Sequence, residues 1–272
     1  MPKQFTHLLL TRFNTLVSFA PSAKRLETNW LAARLALFEK YCLPSVAAQR
    51  SAEFRWLVFV DAESPAWFKQ RISAFAPLVN PIYIEGLATD DVIAHKVMQT
   101  GLVSSPYLVT TRLDNDDAIA NDHIASVQGA FCGQEREFVS FPVGLQSLHG
   151  HLYSVYWPSN PFLSLIEKVG VNEQVTTVFC VAHDRVTHGC TVRKVLSAPQ
   201  WLQVLHDSNL RNSLRGWPRL SSRSHDRFQV SWPESGGPDS VGSRVRFSLR
   251  AYGARAERLM HKLRCRENVA GG

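Results

Sequence analysis

Short apolar runs alternate along the first half of the chain with stretches in which apolar residues return every three or four positions, the signatures of buried strands and amphipathic helices. His7–Leu10 reads as a first buried strand that runs into a polar loop of Thr11, Arg12, Phe13 and Asn14. Leu31, Leu35, Phe38 and Cys42 share one helical face, with Leu26, Trp30 and Leu37 beside it, and Pro44 is expected to limit that helix. Phe54–Val60 is a second strand with Asp61 at its end, and Ser64 and Pro65 open a helix whose Phe68, Ile72 and Phe75 face the core. Pro81–Glu85 gives a third strand, and a helix that starts near Thr89 or Asp90 stops at Gly101. Pro106 then opens a central strand in which Tyr107, Leu108, Val109, Thr110, Thr111 and Leu113 are aromatic, aliphatic or β-branched. A further helix carries Ile124, Val127 and Phe131 and ends at Gly133. Strand and helix in alternation over roughly the first 120 residues predict a doubly wound α/β fold.

Beyond that helix the rhythm changes. Phe138–Leu148 and His151–Trp157 read as two extended segments meeting at the dipeptide His149-Gly150. Ser159, Asn160 and Pro161 are expected to open a helix with Leu163 and Ile166 inward. Val175–Val181 reads as a strand terminated by Ala182, His183 and Asp184, and Val192–Leu196 as a short one. Pro199–Asn212 is polar and aromatic and carries His206. Ser221–Asp239, rich in Ser, Gly, Pro and charge, reads as a linker. The expected organisation is a domain over residues 1–220, a linker or mobile loop over 221–240 and a basic amphipathic segment over 241–272. In that last segment Val245, Leu249, Tyr252, Leu259 and Leu263 form a stripe among many arginines.

A hydrophobic content of 45% with 19% charged residues excludes a disordered chain. No run approaches the roughly 20 apolar residues of a membrane-spanning helix, and the opening MPKQFTHLLLTRFN lacks a signal-peptide pattern, so the expected location is cytoplasmic. Five scattered cysteines argue against both a disulfide framework and a cysteine zinc site. A net charge of +7 points to an anionic partner, which leaves a nucleotide, a nucleic acid and an acidic membrane surface open.

Candidate chemistry concentrates where the central strand ends in Asp114, Asn115, Asp116 and Asp117. Open α/β sheets bind ligands at the carboxyl ends of their strands. Two carboxylates one residue apart can share a hard divalent cation, which in turn grips a diphosphate. The same residues are also ordinary turn formers and helix caps. Asp61 is a second acid at a strand's carboxyl edge, and Arg12, in the loop after the first strand, is placed either to meet a phosphate or base or to lie on the surface.

These residues lie in segments that resemble the rhamnosyltransferase family of bacteria, itself similar to the GT-A-type glycosyltransferases. The marks are LLLTRFN at Leu8–Asn14, LFEKYCLPSVAAQ at Leu37–Gln49, FRWLVFVD ending at Asp61, RLDNDD at Arg112–Asp117, NPF opening at Asn160 and WLQVLHDSN at Trp201–Asn209. The resemblance implies an α/β, GT-A-type, Rossmann-like mixed sheet flanked by helices, and transfer of a sugar from a nucleoside diphosphate. It implies that Asp114 and Asp116 hold Mg²⁺ or Mn²⁺ against the donor diphosphate with Arg12 and Arg112 nearby. It further implies that Asp61 bonds the nucleotide base and that His206 completes the metal or diphosphate site. The implied donor is a nucleotide sugar, with dTDP-rhamnose as the candidate, and the acceptor a cell-surface or lipid-linked glycan.

An inverting course needs a carboxylate to deprotonate the acceptor hydroxyl. Asp184 is the candidate, with Glu173 in reserve; the ED pair in which many related transferases carry their base is missing. The Arg-rich tail suits either peripheral contact with the inner membrane face or a helix docked on its own domain with its arginines in water. Two other classes stay open: a non-catalytic basic protein binding nucleic acid or membrane, and a metal-dependent phosphohydrolase. Aromatics suited to stacking bases are sparse in the tail, so no nucleic-acid partner is expected.

Overall fold

The computed structural model describes residues 4–18, 23–149, 151–170, 174–186, 189–206, 213–218 and 225–230. Gly150, Glu173, Asn209, most of the expected linker and the whole basic segment over 241–272 lie outside the described residues.

Within residues 4–112 the alternation expected from the sequence is present. β1 (Phe5–Arg12) leads through α1 (Thr28–Leu37) and α2 (Leu43–Ala47) to β2 (Arg55–Asp61), then through α3 (Ala66–Ser73) to β3 (Val79–Ile84), and through α4 (Asp90–Gln99) to β4 (Tyr107–Arg112). β1 pairs in parallel with both β2 and β4, and β2 with β3. Leu9, Val58 and Val60 face α1 and α3 through Leu31, Leu35, Phe38, Phe68 and Ile72. Leu8, Leu10, Leu57 and Phe59 face α4 through Ile93, Ala94 and Val97 on the opposite side. The chain therefore winds outward from β1 to β3 under one helical layer and returns under the other to β4. That reversal opens a crevice beyond the carboxyl ends of β1 and β4.

Pro44 does not end the first helix. The turn Phe38–Cys42 is a π-turn in which the Leu43 N–H reaches Phe38 O, and Pro44 sits in the first turn of α2. The wider turn absorbs both the missing proline N–H and the bulk of its ring, so the helix continues to Ala47.

After β4 come β5 (Ala118–Ile119), α5 (His123–Gly129), β6 (Arg136–Ser140), β7 (Val143–Leu148), β8 (His151–Tyr156), β9 (Ser164–Lys168), β10 (Val192–Lys194), β11 (Trp201–Leu205) and β12 (Trp217–Pro218). The main sheet has seven strands in the order β10-β6-β9-β4-β1-β2-β3, with β9 antiparallel to both neighbours. A second sheet runs β12-β8-β7-β11-β5. The expected mixed sheet flanked by helices is thus what the chain forms.

Two further expectations are corrected. Residues near Leu163 and Ile166 form β9, not a helix: buried Asn160 donates to Phe141 O and Trp157 O and accepts from Phe162 N, turning the chain into a central strand. Val175–Val181 forms a loop with a short 3₁₀ turn at Val178–Cys180. Its backbone N–H groups are taken by side chains, Glu167 for Thr176 and Thr177 and Thr110 for Val178, leaving none of the three for a ladder. Residues 225–230, inside the expected linker, pack on the domain: Phe228 is buried and Arg227 donates to Asp122 at 2.7 Å. Among the described residues no helix is long and apolar enough to cross a membrane.

Candidate functional site

Parallel pairing sets Leu10 opposite Arg112 and carries β1 on to Arg12, so both arginines stand where the two strands end at the crevice. They converge on one aromatic ring. The Arg12 guanidinium carbon lies 4.3 Å from the centre of the Phe179 ring and that of Arg112 5.9 Å. Burial first, and the like charge of Arg112 second, bring the Arg12 pKa down to about 10, while Asp114 and Asp90 pull the other way.

Arg112 forks onto Asp114 with Nε to Oδ1 at 3.1 Å and Nη2 to Oδ2 at 2.9 Å. Surrounding protein would raise the Asp114 carboxyl, but the charge and hydrogen bonds of Arg112 outweigh it and hold Asp114 below the usual range. Burial would likewise lower Arg112, and Asp114 reverses that shift.

Asp116 faces elsewhere. Its Oδ2 accepts from Arg34 Nη1 on α1 and lies 2.9 Å from His206 Nε2. Side-chain exposure is only 8% for Asp116 and 10% for Arg34, against 35% for Asp114. The second sheet fixes His206: β11 pairs with β5, directly after the acidic turn, and Asp117 Oδ1 accepts from Val204 N at 2.8 Å. Burial, then the charges of Asp116 and Asp114, push the Asp117 carboxyl up. Asn115 closes the turn by donating to Phe13 O at 2.7 Å. Nearby, Trp201 lies against Gly144, where any side chain would collide with its indole.

Asp61 sits at the carboxyl end of β2, 2% exposed, and accepts from Arg25 Nε and from the Glu63 N–H, both at 2.8 Å. Asp184 is exposed beside His183. Burial lowers the His183 pKa, and the charges of Arg112, Asp114 and Asp184 also reach it. His183 Nδ1 lies 2.9 Å from Ser159 O, an acceptor that requires the proton on that nitrogen.

Of the residues expected at the site, Arg12, Arg112 and Asp114 form one group and Asp116 and His206 another, while Asp61 is engaged at the neighbouring strand. The divalent cation expected at Asp114, Asp116 and His206 does not fit this arrangement. Asp114 uses both oxygens on Arg112, Asp116 turns Oδ2 to Arg34 and His206, and no three His, Cys, Asp or Glu among the described residues are gathered to hold a metal.

Arg34, Phe179 and Glu167 enter the site without a sequence expectation. Arg34 had a signal, a cation between Leu31 and Leu35 on the buried stripe, where an ion needs a partner. Phe179 had none, because it reaches the arginines through a loop.

The family described as "Putative rhamnosyl transferase" matches residues 6–216. No curated protein matches the sequence. Among solved structures, a "putative nucleotide-diphospho-sugar transferase" from Desulfovibrio desulfuricans G20 is 10% identical, covering 72% of this chain and 81% of that one at a TM-score of 0.37. S. aureus TarS 1–349 in complex with UDP is 9% identical at a TM-score of 0.42, covering 75% of this chain. The chain spans 61% of that TarS fragment and 37% of the longer TarS structure.

Proposed function

Because the chain belongs to the family described as "Putative rhamnosyl transferase", we propose that it is a glycosyltransferase moving a sugar, with rhamnose the candidate, from a nucleoside diphosphate to a cell-surface or lipid-linked glycan. The observation that carries this reading is the convergence of Arg12 and Arg112 at the crevice where the strand order reverses. When the acceptor hydroxyl attacks the anomeric carbon, the bond to the diphosphate breaks and negative charge collects on the departing oxygens. Guanidinium forks match those oxygens in charge and geometry, and already stand in place before the bond breaks. Asp184 is the proposed base that takes the hydroxyl proton in an inverting course, with His183 as its neighbour. The buried pair of Arg34 and Asp116, with His206, keeps the acidic turn in shape beside the arginines. Work at the cytoplasmic membrane face is consistent with the positive charge of the tail.

The test is release of nucleoside diphosphate from a panel of donors that includes dTDP-rhamnose, with lipid-linked glycan as acceptor. Arg112→Met is expected to slow turnover about 100-fold or more, the usual cost of losing a preorganised charge donor. Turnover by the variant equal to the parent would remove the proposed role of this edge.

A further inference from the structure

The two acids that would carry a metal are both held by arginine, whereas positive charge at the crevice comes from two guanidiniums on one ring. We infer that Arg12 and Arg112, mounted on Phe179, grip the donor diphosphate themselves, so that this chain binds a nucleoside diphosphate without a divalent metal. The inference rests on the glycosyl-transfer reading and deepens it by naming what neutralises the leaving group.

Two independent observations support it. The first is charge. Arg34 faces Asp116, Arg112 faces Asp114, and Arg12 stands beside that second pair, within reach of the charges of Asp114 and of exposed Asp90 at the start of α4. The fork of Arg112 already holds two oxygens of a carboxylate, and the same planar fork accepts two oxygens of a phosphate. Asp114 thus occupies the position of the ligand's oxygens and competes with them.

The second observation is the loop that carries Phe179. Thr177 adopts φ 59°, a conformation that a β-branched residue rarely takes. The neighbouring structure enforces it. Glu167 Oε1 accepts from Thr177 N at 3.0 Å, and its Oε2 accepts from Thr176 N at 2.9 Å and from Thr176 Oγ1 at 3.0 Å. Thr110 Oγ1, in β4 itself, accepts from Val178 N at 2.8 Å. Three of these bonds tie the segment to β9, and the fourth ties it to β4, the strand that ends in Arg112. A strained residue held this firmly beside a ring under two guanidiniums is a positioning device, with Glu167 and Thr177 acting through Phe179.

Calorimetric titration of UDP, dTDP, GDP and CDP, each in EDTA and in Mn²⁺, tests the inference. At least one diphosphate is expected to bind with affinities in the two conditions that agree within about twofold. Arg12→Gln is expected to weaken that binding about 10-fold or more, the range for losing a hydrogen bond to a charged group. Phe179→Leu, which keeps the site apolar, is expected to weaken it less. Asp114→Asn separates the two accounts most sharply: removal of a competing carboxylate leaves binding equal or tighter, whereas removal of a metal ligand abolishes it. Binding that appears only with Mn²⁺, that disappears in Asp114→Asn, or that ignores Arg12→Gln overturns the inference and leaves glycosyl transfer standing. Failure of all four diphosphates in both conditions would overturn that reading as well.

Discussion

The two halves of the main sheet deliver their chemistry by different routes. In the parallel half, β1, β2 and β4 run the same way, so each strand brings the residue at its end, Arg12, Asp61 and Arg112, to one edge. In the other half, β9 runs antiparallel between β4 and β6, and its Glu167 lies opposite Leu108 near the start of β4. Its contribution travels through the backbone of residues 176–178, which lead back along β4 to Phe179. A parallel sheet therefore advertises functional residues by position, whereas a reversed strand hides them in the hydrogen bonds of a loop.

The largest expected effect lies at the parallel edge. Asp116→Ala leaves Arg34 buried without its carboxylate and is expected to cost about 3–5 kcal/mol in urea unfolding. Removing Glu39 from its partly exposed contact with Arg71 is expected to cost under about 1 kcal/mol in the same measurement. Equal losses from both would mean that the Arg34 contact is no more demanding than a surface pair.

Acid comes next. Burial holds His7, in β1, down to about 3 and His123, in α5, down to about 4, with the charge of His123 adding to the effect on His7. The unfolded chain takes up these protons near pH 6.5, before the folded one does. Stability that is present above that value is therefore lost as pH falls towards 4, by about 2 kcal/mol for each histidine at pH 5. Urea midpoints at pH 7 and pH 5 check this, and His123→Phe is expected to flatten the slope by about half.

The reversed strand comes last. Glu167→Gln replaces one acceptor oxygen with a donor facing the loop N–H groups and is expected to cost about 1–3 kcal/mol. Here a fall in diphosphate affinity should accompany the loss of stability. A variant that loses stability yet binds diphosphate as the parent does would reduce Glu167 to a purely structural residue.

The same contrast decides what the sequence discloses. Strands β1 to β4 are legible because each is an apolar run closed by polar residues, and the acidic turn stands out at the end of the fourth. The nearness of His206 to Asp116 was legible only through family resemblance, since 90 residues and a second sheet separate them. Pro44 misleads because local rules cannot foresee a π-turn that makes room for it. Leu163, just before β9, and Ile166 within it keep helical spacing although the strand is buried on both faces, where apolar residues need not alternate. Val175–Val181 has the composition of a strand, but a buried carboxylate and a threonine hydroxyl claim its amides. Such competition between side chain and ladder is invisible until the partners are brought together.

The most direct measurement is a crystal structure with UDP or dTDP bound in the absence of divalent metal. The account predicts the diphosphate beyond the carboxyl ends of β1 and β4, with phosphate oxygens in hydrogen-bonding reach of both Arg12 and Arg112. A diphosphate held elsewhere, such as on Arg25 beside Asp61, with neither Arg12 nor Arg112 touching it, would contradict the account.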